Sequence, residues 1–450
     1  MSKFQKRRDF IKTTAAAGAV VISAPYIKGC SSAGKLSLGL WDHWVPGAND
    51  VTREICESWG RDNGVEVTVD FITSIGNKLL LTAQAESRAK NGHDIYSLVL
   101  WMPSMFRHRL LPVDDLIEII KEKHGEFSTS AKFLAYLDGN WRGVPAPTGS
   151  MSDPMVSRID LFKDHAGVDL QTLFPASRNR EKKLIDAWTY EAFLEAAQKL
   201  HLAGKFFGAA IAATPDSNRW TGALFAAYGA ELVNESGDIV VDSDQVREVL
   251  EYLSRLTQYM PDSIYAWDDA SNNRWLISGE GSCIFNPPSA WAVAKRDNPK
   301  VASQLWHHDA PKGPKGRFRT DNSFFWGIWD FSENISAAKD LLLHVTEQEN
   351  THRMTQASQG FDIPGIISHY QTSNIWAEAE PPSGVLYNYP IRGDEIQVAG
   401  GYPAPPEIAS QIFSQGIIPN LIARVTSKGE SFDEAIKWAE NELEGVVMRG

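Results

Sequence analysis

Cysteine is scarce in this chain, with three residues among 450, at Cys30, Cys56 and Cys283. So few cysteines exclude a scaffold built on disulfides, and we expect Cys56 and Cys283 to be buried free thiols. Basic residues are also in deficit, because 44 Lys and Arg stand against 56 Asp and Glu. The resulting net charge of −12 argues against a nucleic-acid-binding protein, which needs a basic face or stripe.

Long apolar runs are missing as well. The apolar run at residues 13–26 is shorter than the roughly 20 residues with which a helix spans a bilayer. It follows Arg7-Arg8-Asp9-Phe10-Ile11-Lys12, and paired arginines before a weakly apolar run are typical of a twin-arginine export signal. We therefore interpret residues 1–29 as an export signal. Its removal takes away a net charge of +5 and leaves −17.

The end of this signal contains Ile27-Lys28-Gly29-Cys30, followed by two serines. An aliphatic residue before Gly-Cys and a polar tether resembles a lipoprotein cleavage box, although Lys28 stands where such boxes have a small residue. Two outcomes stay open: lipidation of Cys30, or cleavage nearby that releases a soluble periplasmic protein.

Sequence motifs of catalysis and metal binding are also lacking. No Gly-x-Ser-x-Gly elbow occurs, and Gly279-Glu-Gly281 is too short for a dinucleotide or phosphate loop. His307 and His308 lie in a predicted strand without Cys or acidic partners at metal spacing, and Arg392-Gly-Asp394 is predicted to be a turn. We expect no catalytic residue, metal or cofactor. A carboxylate pair for glycoside hydrolysis stays open, because its separation is spatial.

Strands and helices alternate after the signal. Residues 35–40, 65–72 and 94–100 have strand patterns, and helical periodicity follows each of them, with Asn49 or Asp50 predicted to cap the first helix. This order predicts an α/β fold with a parallel sheet covered by helices. Beyond a Pro- and Gly-rich segment, we predict further strands at residues 206–213, 282–286 and 323–329, and helices at residues 190–200, 218–228, 244–258, 269–277, 336–346, 408–421 and 432–443.

The chain has 15 tryptophans, more than core filling usually requires. Trp41-Asp42-His43-Trp44 follows the first predicted strand and Trp101 follows the third, where open α/β sheets bind ligands. Trp267-Asp268-Asp269 opens a helix, so both aspartates are candidates for an N-cap, a ligand contact or both. Aromatic faces beside Asp, Asn and Arg suit sugars, because the C–H face of a sugar ring packs on Trp while polar groups bind hydroxyls.

Taken together, the ordered segments resemble the extracellular solute-binding protein family 1, the periplasmic sugar-binding proteins of ABC importers typified by maltose-binding protein. The resemblance covers essentially the whole mature chain. It rests on individually weak motifs in a consistent order: Leu38-Gly-Leu-Trp-Asp42, His93-Asp94-Ile95 with residues 110–115, Asp138-Gly-Asn-Trp-Arg-Gly-Val-Pro145, Ala187-Trp-Thr-Tyr190, Tyr228-Gly-Ala-Glu-Leu232 with residues 238–242, and residues 277–284.

The resemblance implies a two-lobe periplasmic-binding-protein fold of type II. Each lobe would be a mainly parallel sheet flanked by helices, with the ligand cleft between the lobes. We assign residues 30–145 and 325–370 to the N-terminal lobe and residues 150–320 and 371–450 to the C-terminal lobe. Residues 143–150 and 320–325 are the predicted hinge crossings.

The family's binding positions map onto several loops of this sequence, and the loop at Trp267 adds two aspartates by composition. The predicted ligand-binding residues are Asp42, His43, Trp44, Trp101, Ser150, Asp216, Asn218, Trp220, Asp268, Asp269, Asn286, Ser289 and Tyr402.

The implied function is capture of a sugar, oligosaccharide or polyol outside the cytoplasm, cleft closure, and delivery to the permease of an ABC importer, without covalent chemistry. We expect a monomer, in the periplasm or on the outer face of the cytoplasmic membrane. Two alternatives stay open: a binding protein for a non-sugar solute such as an amine or phosphoester, and a secreted carbohydrate-active enzyme.

Overall fold

The computed structural model describes residues 34–175, 180–372 and 395–448. By internal contacts the chain divides into Met1–Ser32 and a compact unit of Ala33–Gly450. The predicted export signal, Cys30 and the predicted turn at Arg392-Gly-Asp394 lie outside the described residues. Among the described residues, no helix has the length and apolar character needed to cross a membrane.

The strands of the described chain are mostly short. They are β1 (Gly34–Trp41), β2 (Val65–Ile72), β3 (Ile95–Val99), β4 (Tyr136–Leu137), β5 (Asn140–Trp141), β6 (Val144–Pro145), β7 (Met151–Ser152), β8 (Met155–Arg158), β9 (Cys283–Phe285), β10 (Leu305–His308), β11 (Lys312–Gly313), β12 (Gly316–Asn322), β13 (Phe324–Ile328) and β14 (Glu395–Val398).

The helices of the described chain lie between and after these strands. They are α1 (Pro46–Asn63), α2 (Lys78–Ala89), α3 (Met102–Met105), α4 (Asp114–His124), α5 (Thr129–Ala135), α6 (Ile159–Leu161), α7 (Leu170–Leu173), α8 (Lys182–Ala187), α9 (Tyr190–Leu202), α10 (Pro215–Tyr228), α11 (Asp244–Leu256), α12 (Ser271–Ile277), α13 (Ser289–Asp297), α14 (Pro299–Ala302), α15 (Ile335–Val345), α16 (Gln348–Ala357), α17 (Ile367–Thr372), α18 (Pro406–Ser414), α19 (Ile417–Thr426) and α20 (Phe432–Val447).

The first sheet has the strand order β2-β1-β3-β13-β6. β1 pairs in parallel with β2 and β3, whereas β13 runs antiparallel to both β3 and β6. Leu36, Leu38 and Leu40 of β1 are buried, as expected for a central strand covered by helices. α1 packs against β2, and α15 and α16 pack against α1.

The remaining sheets are smaller and mixed. β8 lies antiparallel between β10 and β9, while β12 pairs in parallel with β14 and antiparallel with β11 and β7. The predicted α/β class is confirmed. The expectation of mainly parallel sheets holds for β1, β2 and β3 and for the pair β12 and β14, whereas the other described strand pairs are antiparallel.

Within the described residues, the chain passes between the first sheet and the sheet of β12 at two neighbouring points. β6 belongs to the first sheet and β7 pairs with β12, so the first passage lies between Pro145 and Met151. β12 ends at Asn322 and β13 begins in the first sheet at Phe324, so the second passage is only one residue long. The backbone N–H of Phe324 donates to Ser150 Oγ at 2.9 Å, which ties the two passages together.

Three predictions about elements were wrong in detail. α1 begins at Pro46 with Val45 as its N-cap, so Asn49 and Asp50 lie inside the helix. Residues 206–213 form no strand apart from a single bridge between Phe207 and Cys283. The predicted helix at residues 408–421 is two helices, α18 and α19. Gly416 lies between them as the N-cap of α19, and its left-handed φ of 62° interrupts the helical backbone.

Two predictions about side chains were confirmed. Cys56 and Cys283 are free and buried. His307 and His308 lie in β10 and are almost completely buried. Among the described residues, no group of three or more His, Cys, Asp or Glu side chains is arranged to hold a metal ion.

Candidate functional site

A cavity of about 240 Å³ lies where the first sheet meets helices of the following segments. One side of it comes from the carboxyl end of β3 and from α3, including Val99, Trp101 and Met105. The opposite side comes from the start of α10, from Asp269 and from the end of α18. This is the position at which open α/β sheets bind ligands.

The first side of the cavity is largely apolar. Met102 and Leu79 are buried there, while Met105 is 40% exposed. Trp101 is buried, and its indole N–H donates to the Gly400 carbonyl oxygen at 3.1 Å. An apolar wall of this kind suits the C–H face of a ring-shaped ligand.

Two of the predicted aromatic positions converge on this wall. The Trp101 and Tyr402 rings both pack on Phe133, with centroid separations of 5.8 and 5.5 Å. Tyr402 is 48% exposed. Residues 101 and 402 are remote in sequence, so this aromatic cluster depends on the tertiary fold.

The second side of the cavity is charged and centres on Arg219. Its Nε donates to Asp153 Oδ2 and its Nη2 to Asp216 Oδ1, both at 2.5 Å. The backbone N–H of Asp216 donates to Asp269 Oδ1 at 3.3 Å. Asp269 therefore also provides an acceptor for one of the backbone N–H groups in the first turn of α10, which have no partner within the helix. Three carboxylates therefore surround one guanidinium, and both Arg219 and Asp269 line the cavity.

This charge arrangement affects protonation. Burial raises the pKa of Asp216 above its usual range; the Arg219 guanidinium opposes that rise, and the carboxylates of Asp269 and Asp153 add to it. Arg219 keeps its charge, because the attraction of the same carboxylates outweighs burial and raises its pKa. Three ionised carboxylates would outweigh the one guanidinium, and the raised pKa of Asp216, about 8, reduces this negative excess near pH 7.

An amide network extends from Asp216 away from Arg219. Asn272 Nδ2 donates to both Asp216 Oδ2 and Asn286 Oδ1 at 2.9 Å. Asn286 Nδ2 donates to Ser289 Oγ at 2.9 Å and to Asn273 Oδ1 at 2.8 Å. Asp216 was predicted from one segment and Asn286 and Ser289 from another, and the structure joins the three in one network.

His43 and Ser150 form hydrogen bonds with other residues of the protein, near the passages between the two sheets. His43 Nε2 donates to Asp362 Oδ1 at 3.0 Å, while its Nδ1 accepts the backbone N–H of Val45 at 2.8 Å. Asp362 also accepts from Thr148 and Gly149. The Ser150 carbonyl oxygen accepts the backbone N–H of Ile363 at 2.7 Å.

The other predicted residues differ in exposure. Asp42 is exposed and accepts from Asn49 Nδ2 at 2.8 Å, and Trp44 is 38% exposed. Asp268 is exposed and accepts from Ser271, Arg274 and the N–H of Ala270. Trp220 is buried, with its ring stacked on Phe285 at 5.6 Å and an interplanar angle of 6°. None of these four lines the cavity.

Of the predicted residues, Trp101, Asn218 and Asp269 line the cavity. Sequence reasoning missed Arg219, although it lies between two selected positions, because a lone arginine carries no motif. It also missed the apolar contributors Met102, Met105 and Phe413. Trp267 and Trp275 pack on each other at 5.8 Å and do not line the cavity.

A family model described as bacterial extracellular solute-binding protein matches residues 54–382. That match covers most of the chain. The chain belongs to this family. No curated protein sequence matches it.

Solved structures of similar fold support the assignment. Maltose-bound MalE3 of T. maritima is 18% identical, with a TM-score of 0.70 over 92% of this chain and 100% of that one. A laminaribiose-bound sugar transporter of Arthrobacter chlorophenolicus is 14% identical, with a TM-score of 0.72 over 92% and 99%. The GacH receptor of Streptomyces glaucescens is 16% identical, with a TM-score of 0.68 over 93% and 99%. At these identities the likeness establishes the two-lobe fold of type II periplasmic binding proteins.

Proposed function

We propose that this solute-binding protein takes up a carbohydrate, such as a sugar, oligosaccharide or polyol, in the cavity between the first sheet and α10. The observation that carries the proposal is the pairing of an apolar wall at Trp101 and Met105 with a polar wall at Asn218, Arg219 and Asp269. A sugar ring has an apolar face and a hydroxyl-bearing edge, and the two walls complement these two surfaces.

The ligands named for the similar structures support the same class. Maltose, laminaribiose and acarbose appear in the descriptions of proteins that share the fold. The cavity volume of about 240 Å³ falls just below the range of about 300–1,000 Å³ typical of small-molecule sites. A solute of one or two sugar rings, held in a cleft that adjusts on closure, agrees with this size.

Cleft closure and delivery complete the proposed function. Residues 30–145 and 325–370 form one lobe, residues 150–320 and 371–450 form the other, and residues 143–150 and 320–325 act as hinges. Ligand binding favours the closed arrangement, because only that arrangement contacts the solute from both lobes. The closed monomer then docks on the permease of an ABC importer, and no covalent step is involved.

Export is part of the same proposal. The paired Arg7 and Arg8 direct the chain through the twin-arginine route, and the mature protein acts in the periplasm or on the outer face of the cytoplasmic membrane. Lipidation of Cys30 would hold it at that face, whereas cleavage nearby would release it.

A second candidate ligand is an organic cation. Asp153, Asp216 and Asp269 outnumber the single cation Arg219, so a bound ammonium group would favour the ionised form of these carboxylates and offset their excess negative charge. The same excess disfavours a phosphoester. A carbohydrate remains our first choice, because the opposite wall is apolar and neutral.

A thermal-shift screen of the full chain separates these ligands. Neutral sugars and polyols, primary amines and phosphoesters are each added at millimolar concentration, and a ligand that binds only the folded state raises Tm. We expect a carbohydrate to give the largest rise. The screen is repeated with Asp269→Asn, which keeps the shape of the side chain and removes its charge.

For a carbohydrate we expect Asp269→Asn to weaken binding only several-fold, because the amide oxygen still accepts hydrogen bonds. For an amine the loss would exceed tenfold. Asp262→Asn, at an exposed position outside the cavity, is the matched control and should leave the shift unchanged. If no sugar or polyol raised Tm, the carbohydrate proposal would be abandoned.

A further inference from the structure

A second cavity, of about 620 Å³, lies apart from the cleft. Its wall includes Tyr190, Tyr228 and Tyr252 from helices α9, α10 and α11, and we call it the tyrosine cavity. It shares no lining residue with the cleft cavity. Asn218 lines the cleft near the start of α10 and Tyr228 ends that helix, so about 15 Å of helix axis separates them.

The tyrosine hydroxyls at the base of this cavity are unusual. Tyr190 and Tyr228 are only 4% and 6% exposed. Both line the cavity, and neither hydroxyl has a hydrogen-bond partner within the described ranges. Tyr252, by contrast, donates to the Tyr190 carbonyl oxygen at 3.0 Å. Two hydroxyls that line one cavity, and that are not engaged by other groups of the described protein, offer hydrogen-bonding partners to polar ligand atoms.

The charged residues around the cavity are unequally paired. Glu191 and Arg255 form a two-point ion pair at 2.8 and 3.0 Å, and Asp186 binds Lys312 at 3.1 Å. Glu248 and Glu251 also line the cavity, but neither has an ion-pair partner in the part of the chain that is described. Lys182, next to the cavity, also binds Asp186 at 2.6 Å, so four carboxylates are set against three cations, and Glu248 and Glu251 are the two carboxylates left without an ion pair among the described residues.

The unpaired groups lie close enough to act together. Glu248 and Glu251 are three residues apart on α11, so their Cβ atoms lie about 5–6 Å apart on one face. Burial, together with the charges of Glu191 and Glu248, raises the pKa of Tyr228. Its hydroxyl therefore stays protonated and neutral near pH 7, with its oxygen free to accept a hydrogen bond.

We propose that the tyrosine cavity is a second ligand site, which binds a small organic cation with two or more ammonium groups. Ammonium N–H groups donate to the Glu248 and Glu251 carboxylates and to the unpaired tyrosine hydroxyls. Two ammonium groups would pair with the two carboxylates that have no ion-pair partner in the described chain, Glu248 and Glu251. A neutral polyol would bind the hydroxyls but leave that charge unbalanced, and an anion would be repelled.

Isothermal titration calorimetry of the full chain with spermidine tests this site at about 0.15 M salt, where distant surface charges are screened. We expect saturable binding of one spermidine. The double variant Glu248→Gln/Glu251→Gln should weaken binding at least tenfold. Tyr228→Phe keeps the ring, removes the hydroxyl, and should weaken binding several-fold.

Two control variants distinguish binding in the tyrosine cavity from binding elsewhere on the protein. Glu442→Gln removes an exposed, unpaired glutamate on α20 and should leave the affinity unchanged, as should Asp269→Asn in the cleft. Equal weakening by Glu442→Gln would mean adhesion to an acidic surface, and loss by Asp269→Asn alone would mean binding in the cleft. Either result, or tighter binding of mannitol than of spermidine, would overturn the proposal.

Discussion

Arg219 is the residue that holds the polar side of the cleft together. It is 7% exposed and donates to both Asp153 and Asp216. A buried arginine with two carboxylate partners fixes the orientation of both. Asp269 then completes the group by accepting from the backbone of Asp216. These contacts explain how a positive side chain belongs to a site in which three carboxylates surround it.

His308 makes the stability of the folded chain depend on pH. Its Nδ1 donates to the Asp309 carbonyl oxygen at 3.0 Å, so Nε2 is the acceptor for Ser157 Oγ at 2.8 Å. This pattern requires the neutral ring. Burial lowers the pKa of His308 from 6.5 to about 3, so the unfolded chain takes up the proton first as the pH falls.

We predict that His308 contributes a loss of stability as the pH falls from about 6.5 towards 3. The folded pKa lies below the unfolded one, so the contribution is complete above pH 6.5 and the slope is about 1.4 kcal/mol per pH unit inside this window. Urea unfolding at several pH values should give a shallower slope for His308→Gln. His165→Gln, at an exposed histidine, is the control, and equal slopes in wild type and His308→Gln would contradict the prediction.

For individual residues, the sequence predicted the chemical character of the site better than it predicted which side chains contact one another. Trp101 and Asp269 were chosen from loops of aromatic and polar composition, and Asn218 because the family resemblance maps a binding position onto its segment; all three line the cavity. His43 was chosen on similar grounds, but its partner Asp362 is 319 residues away. A partner so far away in sequence leaves no local pattern, so sequence alone could not show that the His43 ring is hydrogen-bonded to another residue of the protein.

At the element scale, the break between α18 and α19 determines one edge of the cleft. Phe413 and Ser414 at the end of α18 line the cavity. A continuous helix would carry the following residues along the same axis, and Gly416 prevents this with a φ of 62°. The apolar periodicity continues through the break, and it therefore predicted one helix at residues 408–421.

We predict that Gly416→Ala destabilises the protein by about 1–2 kcal/mol, because an L-residue is disfavoured in the left-handed region. An added Cβ would also lie 3.0 Å from the Ala213 Cβ. Urea denaturation measures the effect. Gly47→Ala is the control: Gly47 lies in the first turn of α1, where a Cβ finds ordinary space, so its replacement should be neutral or slightly stabilising. Equal effects of both changes would count against the role assigned to the break.

Elements with strong periodicity were predicted closely, and those that depend on tertiary contacts were not. β2 was predicted with the bounds it has, Val65–Ile72, because alternation over eight residues is a local signal. Residues 206–213 have a strand-like composition, but only Phe207 finds a strand partner, in Cys283. Trp267 and Trp275 pack where a side chain on Gly208 would stand, which keeps this segment irregular.

At the scale of the whole molecule, the order of strands and helices predicted the α/β class and the family resemblance predicted the two-lobe fold. The direction of each strand could not be predicted. β13 lies next to β3 in the sheet although more than 200 residues separate them in sequence, and the two strands pair antiparallel. The two passages between sheets meet at Ser150 and Phe324. A ligand that contacts both sides of the cleft can therefore influence their relative arrangement through two short connections.

Carbohydrate binding in the cavity is tested by isothermal titration calorimetry with the carbohydrate that gives the largest thermal shift. We predict one saturable site per chain. Met105→Lys places a charge on the apolar wall of the cavity and should weaken binding at least tenfold, whereas Met448→Lys, at an exposed methionine after α20, should bind as the wild type does. The account would be contradicted if no carbohydrate gave saturable heat, or if Met105→Lys bound it with unchanged affinity.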